Sequence, residues 1–208
     1  MSSNTAAKTP ANTTTKTRMM VQIAMLTAVA EVLMLFDFPL PFAPSFYKID
    51  LSEVPILIGC FAMGPAAGII IEAMKILLNF IISGTVTAGV GELANFAIGC
   101  SMVLPAGLIY RYHKTRKNAV LGMAAGTLVM AAIGGLLNAF VLLPAYAALF
   151  GGMDAIIGMG TAVNKNITSV QSFGLLSVVP FNLVKGVIVS LVTFLLYKHV
   201  SRVLIHNA

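Results

Sequence analysis

Along this chain long apolar runs alternate with short polar breaks, after an opening stretch of different character. Residues 1–18 are rich in Ser, Thr, Asn and Ala with a few cations, a composition that predicts a disordered tail. The first apolar run, about 19–36, has no small-residue cleavage site behind it, so it is expected to stay as an anchored helix. Asp37-Phe38-Pro39-Leu40-Pro41-Phe42-Ala43-Pro44 must then be a loop, because closely spaced prolines remove backbone donors and restrict their neighbours. A short second helix is expected over about 51–63, entered through Asp50-Leu51-Ser52-Glu53, whose side chains suit a helix N-terminus. Gly64-Pro65 breaks the chain, and a third helix continues to about 83. A Gly/Thr-rich turn over 84–91 leads into a fourth at about 92–110, closed by Arg111-Tyr112-His113-Lys114-Thr115-Arg116-Lys117. A fifth, about 119–149, should bend near Gly134-Gly135 or Pro144. Residues 150–172 read as a polar, Gly-containing loop, and a sixth helix spans about 173–199.

This pattern predicts an all-α membrane protein with six transmembrane helices, residues 19–208 forming one membrane domain behind the tail at 1–18. Composition agrees: 58% of residues are hydrophobic and 10% charged, and the mean hydropathy is +0.93. Each crossing of a hydrocarbon core of about 30 Å takes roughly 20 helical residues. A chain of 208 residues therefore has little left for a soluble domain. No Gly-rich phosphate loop of the Walker type is present, so any ATPase that drives the protein must be another chain.

Charge orients the spans. With six crossings, one side receives Lys8, Lys16, Arg18, Arg111, Lys114, Arg116, Lys117, Lys198 and Arg202, and the other receives Lys48 and Lys165. Cations are retained on the cytoplasmic side, so both termini are expected there. The 37–44 loop, the 84–91 turn and the 150–172 loop should then face outward. The formal charge of +6 follows from this asymmetry. Scattered cations without interleaved aromatics argue against a nucleic-acid partner, and membrane lipid is the expected surroundings.

Polar residues inside the apolar runs carry the chemistry. Lys185 is the foremost, since hydrocarbon cannot solvate an ammonium and the side chain needs a partner, a ligand or a wet cavity. Asn182 lies three residues earlier on the same face, and Pro180 before it frees a backbone carbonyl. A structural role for Lys185 would pair it with Glu72 or Glu92. Glu72 and Lys75 share a face of the third helix and are expected to neutralise each other. Glu92, Asn95 and Gly99 line one face of the fourth helix, where a carboxylate suits hydroxyl groups or a helix cap. Asn138 follows Gly134-Gly135, and its amide needs partners. Asn138, Asn182 and Lys185 together suit a flat heteroaromatic ligand with ring carbonyls and nitrogens. Catalysis finds no footing, since His113, His199 and His206 all fall at helix ends. No metal or cofactor motif is seen, and Cys60 and Cys100 read as lone packed thiols.

The chain resembles the riboflavin-specific substrate-binding subunits, the RibU-type S components, of energy-coupling factor (ECF) vitamin transporters. The resemblance rests on Phe36-Asp37-Phe38-Pro39, Tyr47-Lys48-Ile49-Asp50-Leu51-Ser52-Glu53-Val54-Pro55, Gly64-Pro65-Ala66-Ala67-Gly68 and Glu72-Ala73-Met74-Lys75. It continues through Gly91-Glu92-Leu93-Ala94-Asn95-Phe96, Asn138, Leu143-Pro144-Ala145-Tyr146 and Pro180-Phe181-Asn182-Leu183-Val184-Lys185-Gly186. It implies a six-helix carrier in the bacterial plasma membrane that binds riboflavin, its transported substrate, near the outer face beneath the first loop. Asn138, Asn182 and Lys185 would hold the isoalloxazine ring, with Glu92, Asn95 and Tyr47 as further substrate-binding candidates. It also implies docking by an Ala-x-x-x-Ala face, matched by Ala24 and Ala28, on a membrane scaffold subunit driven by two ATP-binding subunits. A carrier for another vitamin, or a self-sufficient ion-coupled transporter, is the competing expectation.

Overall fold

A computed structural model of the chain describes residues 11–205 apart from 45, 86 and 150, with side chains described over 16–197. The helices are α1 (Ala11–Leu35), α2 (Glu53–Met63), α3 (Pro65–Ser83), α4 (Val90–Tyr112), α5 (Arg116–Leu137), α6 (Leu143–Leu149), α7 (Met153–Val163), α8 (Val170–Phe173) and α9 (Val179–Ile205). Wider π turns join α5 to α6 at Asn138–Leu142 and α8 to α9 at Gly174–Val178. Between α1 and α2 two short strands, β1 (Phe38–Pro39) and β2 (Lys48–Ile49), pair antiparallel with Phe38 opposite Ile49. An exposed Lys48–Asp37 ion pair at 3.0 Å sits beside them.

Among the described residues five helical segments are long and apolar enough to cross a membrane: Lys16–Leu35, Pro65–Ser83, Val90–Tyr112, Arg116–Leu149 and Val170–Tyr197. The expected second crossing, α2, has 11 residues. At about 1.5 Å per residue it reaches roughly half the thickness of a hydrocarbon core. It lies within the protein, nearly all of its residues buried. Its end is a sharp turn at Gly64, whose φ of 103° a side chain would disfavour, and Pro65 starts α3 where a missing N–H costs nothing.

Two readings are corrected. Helix α1 starts at Ala11, so the stretch from there to Arg18 is helical and not part of a disordered tail. Once the apolar run is helical, each added residue gains a hydrogen bond without a new nucleus. Residues 1–10 lie outside the described residues. The 150–172 segment is not a loop, since it contains α7 and α8. Ile156 and Gly160 of α7 are buried, and Gly160 admits the Phe173 ring, which would lie 2.6 Å from an added Cβ. Ser169 caps α8 by accepting from the Ser172 backbone N–H.

The core has two parts. The larger centres on α2, with Ile56, Leu57, Phe61, Ile71, Met102, Val103 and Met130. The second lies under the strand loop, where Tyr47 and Ile49 meet Leu143, Ile156, Ile167, Phe173 and Phe181. Helices α6 to α8 thus serve as the floor on which the first loop rests.

Candidate functional site

Between the strand loop and the helix ends lies a cavity of about 800 Å³. Its wall combines the loop (Asp37, Phe46, Tyr47, Asp50), α3 (Ile76, Asn79, Ser83), α4 (Glu92, Asn95), the first π turn (Asn138) and α9 (Phe181, Asn182, Lys185). The structure therefore places Asn138, Asn182, Lys185, Glu92, Asn95 and Tyr47 around one space. That size falls within the roughly 300–1,000 Å³ of small-molecule sites.

Local backbone irregularity aims the two amides. The bend expected near Gly134-Gly135 or Pro144 falls between them as the π turn that begins at Asn138. Such turns break helical register and recur at functional sites. Gly134 has no Cβ because the Asn182 amide nitrogen would lie 2.7 Å from it. Asn138 Nδ2 donates to the Gly134 carbonyl at 2.8 Å, and Asn182 Nδ2 donates to the Val178 carbonyl at 3.0 Å. An amide nitrogen carries two hydrogens, so each keeps a second donor. The buried Tyr47 hydroxyl donates to Asn138 Oδ1 at 2.5 Å and fixes which way that amide faces. Burial, with a smaller contribution from Tyr146, raises the Tyr47 phenol above its ordinary value, so it remains a donor.

Lys185 does not pair with Glu72 or Glu92. Its Nζ lies 3.0 Å from Oδ2 of Asp50, at the end of the strand loop. The reason is topological: β2 carries Asp50 over the cavity to α9, while Glu72 is held deeper by Lys75 at 3.0 Å. Burial alone would raise the Asp50 carboxyl, but Lys185 and Lys75, with hydrogen bonds from Ser52 and Lys185, bring it down to about 2. Asp50 accepts from the Ser52 backbone N–H at 2.8 Å and from the Ser52 hydroxyl. Local sequence marks Asp50 only as a helix-start residue, because its partner lies 135 residues further along the same chain.

Other polar groups complete the wall. Glu92 Oε2 accepts from the Thr87 hydroxyl at 3.3 Å, so this carboxylate is tied to the 84–91 turn. Asn79, also missed, donates to Glu31 at 3.1 Å. Aromatic rings border the space: Phe46 lies 4.7 Å from Tyr47 and 5.7 Å from Tyr146, and Tyr47 lies 5.4 Å from Phe181, between centroids. Ammonium and amide donors, flat rings and carboxylate acceptors thus face one volume. Ala24 and Ala28 are far from this chemistry in character: both are exposed, one turn apart on α1.

Fold and cavity together define a helical membrane protein with a polar-lined cavity. A family model, ECF transporter, substrate-specific component, matches residues 18–197, and the chain belongs to that family. The riboflavin transporter RibU of Staphylococcus aureus (strain TCH60) is 36% identical over 185 residues, covering 89% of this chain and 91% of that protein. The riboflavin transporter FmnP of Bacillus subtilis (strain 168) is 34% identical over 184 residues, with coverage of 88% and 91%. A solved structure of the S component of a bacterial ECF transporter superposes with a TM-score of 0.71 at 35% identity, covering 91% of this chain and 99% of that one. This chain is accordingly a transport component and not an enzyme.

Proposed function

We propose that this chain captures riboflavin from outside the cell and delivers it to a separate energising module, with no covalent chemistry of its own. The carrying observation is the two-ended cavity: donors from Asn138, Asn182 and Lys185 suit the carbonyl and nitrogen edge of the isoalloxazine ring. Phe46, Tyr47 and Phe181 offer ring surfaces, and Glu92 with Asn95 suits the hydroxyls of the ribityl chain. The names of the relatives support the same substrate.

In this reading the chain makes six crossings of the bacterial plasma membrane, α2 serving as a shortened second one. Both termini are cytoplasmic, and the strand loop is an outer lid. Arg111 and Lys114 line a smaller pocket beside the α2–α3 turn, consistent with an inner, cation-rich end there. The exposed Ala24 and Ala28 on α1 form the close-approach face for a membrane scaffold subunit, which two ATP-binding subunits drive.

Titration of purified, ligand-free protein with a panel of water-soluble vitamins tests the substrate. Riboflavin fluorescence should quench saturably at one site per chain. A saturable response to a different vitamin, with none to riboflavin, would overturn the assignment.

A further inference from the structure

Glu31 stands on α1 at its seam with α3 and is 4% exposed. A carboxylate at such a position in a membrane helix is costly, and one kept there is expected to serve a purpose. It takes no part in the ion pairs of Lys75 or Lys185. Its Oε1 accepts from Asn79 Nδ2 at 3.1 Å, while Oε2 has no hydrogen-bond partner among the described residues.

Asn79 links this buried acid to the cavity. Both Asn79 and Ser83 line the space, and Asn79 Nδ2 also reaches the Ser83 hydroxyl at 3.4 Å. The two hydrogens of that nitrogen are thereby assigned to Glu31 and Ser83, which leaves Oδ1 as the atom Asn79 offers to a ligand. Ser83 leads directly into the turn whose Thr87 holds Glu92, so this acceptor belongs to the carboxylate side of the cavity.

We propose that Glu31 is a positioning residue for substrate specificity: by holding the Asn79 amide nitrogen it turns the amide oxygen toward the hydroxyl-bearing tail of the ligand. The proposal rests on the reading of the cavity as a flavin site. Glu31 touches no substrate. It decides whether Asn79 meets the tail as an acceptor or with its orientation undetermined.

The test compares riboflavin with lumiflavin, which has the same ring and a methyl group in place of the ribityl chain. Glu31→Ala and the apolar Glu31→Leu, which both remove the acceptor for the Asn79 amide, should each weaken riboflavin binding about five- to tenfold, the effect of losing roughly one hydrogen bond, and leave lumiflavin binding unchanged. Glu31→Gln keeps an accepting amide oxygen and should bind riboflavin close to wild type. In an Asn79→Ala background, Glu31→Leu should cause no further loss for riboflavin. Equal loss for both flavins in the Glu31→Leu protein, or undiminished riboflavin binding by it, overturns the proposal while the flavin reading stands. Wild-type protein that binds neither flavin overturns the flavin reading and this proposal with it.

Discussion

Two lysines, each 3.0 Å from a carboxylate, face opposite situations. Lys75 is enclosed: its ammonium is ion-paired with Glu72 at 3.0 Å and hydrogen-bonded to Glu53 at 3.1 Å and Ser52 at 3.3 Å. An ammonium has three hydrogens, and here three partners surround it. Gly99 makes the enclosure possible, because a Cβ there would lie 2.3 Å from Glu72 Oε1. Lys185 has Asp50 as its one hydrogen-bonded partner among the described residues and lies on the cavity wall. Two of its hydrogens are left for whatever fills the space. Pairing with a carboxylate thus does not separate a structural lysine from a ligand-facing one; the number of unassigned donors does.

The largest expected effect follows from the enclosed pair. Lys75→Ala leaves Glu53 and Glu72 buried without a cation and should destabilise the fold by about 3–5 kcal/mol. The ligand-free protein in detergent should then show a much lower apparent Tm than wild type. If Lys185→Ala lowers it equally, the contrast between the two lysines is broken. Next in size, Lys185→Ala should weaken riboflavin binding roughly 10–100-fold, the range for hydrogen bonds to a charged group, with the smaller loss of thermal stability. Fluorescence quenching reads the first quantity and thermal unfolding the second.

A site remote from both lysines sharpens the comparison. Replacing Ala24 and Ala28 with Leu should leave riboflavin quenching within about twofold of wild type. Copurification of the scaffold and ATP-binding subunits should fall, because close helix approach needs small residues. Undisturbed copurification and uptake would remove α1 as the docking face.

The smallest effect is in pH. The Asp50 carboxyl is depressed from 3.8 to about 2, so its tie to Lys185 is fully present above about pH 4 and is lost as pH falls towards 2. Binding should therefore be flat between about pH 5 and 8 as far as this pair governs it. A steep change within that window, absent in Asp50→Asn, would contradict the assigned pairing.

The helices were readable because hydrophobic length and proline breaks act locally. The runs ending at Leu35, Ser83 and Tyr112 match the expected ends within two residues. Helix α7 was hidden because its glycines and polar flanks imitate a loop, and what makes it a helix is packing against Phe173 and Ile167. The wall residues Asn138, Asn182 and Lys185 stood out because a polar group in an apolar run is conspicuous. Asp50, Asn79 and Glu31 did not, since each takes its meaning from a partner on another element.

The amino-acid order by itself determined that the chain enters a membrane, where its helices break, and which side chains hydrocarbon could not hold unaided. Those follow from the local cost of placing polar atoms away from water. Tertiary structure alone decided that the short α2 is buried within the protein, that Asp50 and not Glu72 or Glu92 meets Lys185, and that Glu31 reaches the cavity through Asn79. Ion pairs and hydrogen bonds act over about 3 Å, and only folding brings groups far apart in the chain within that reach.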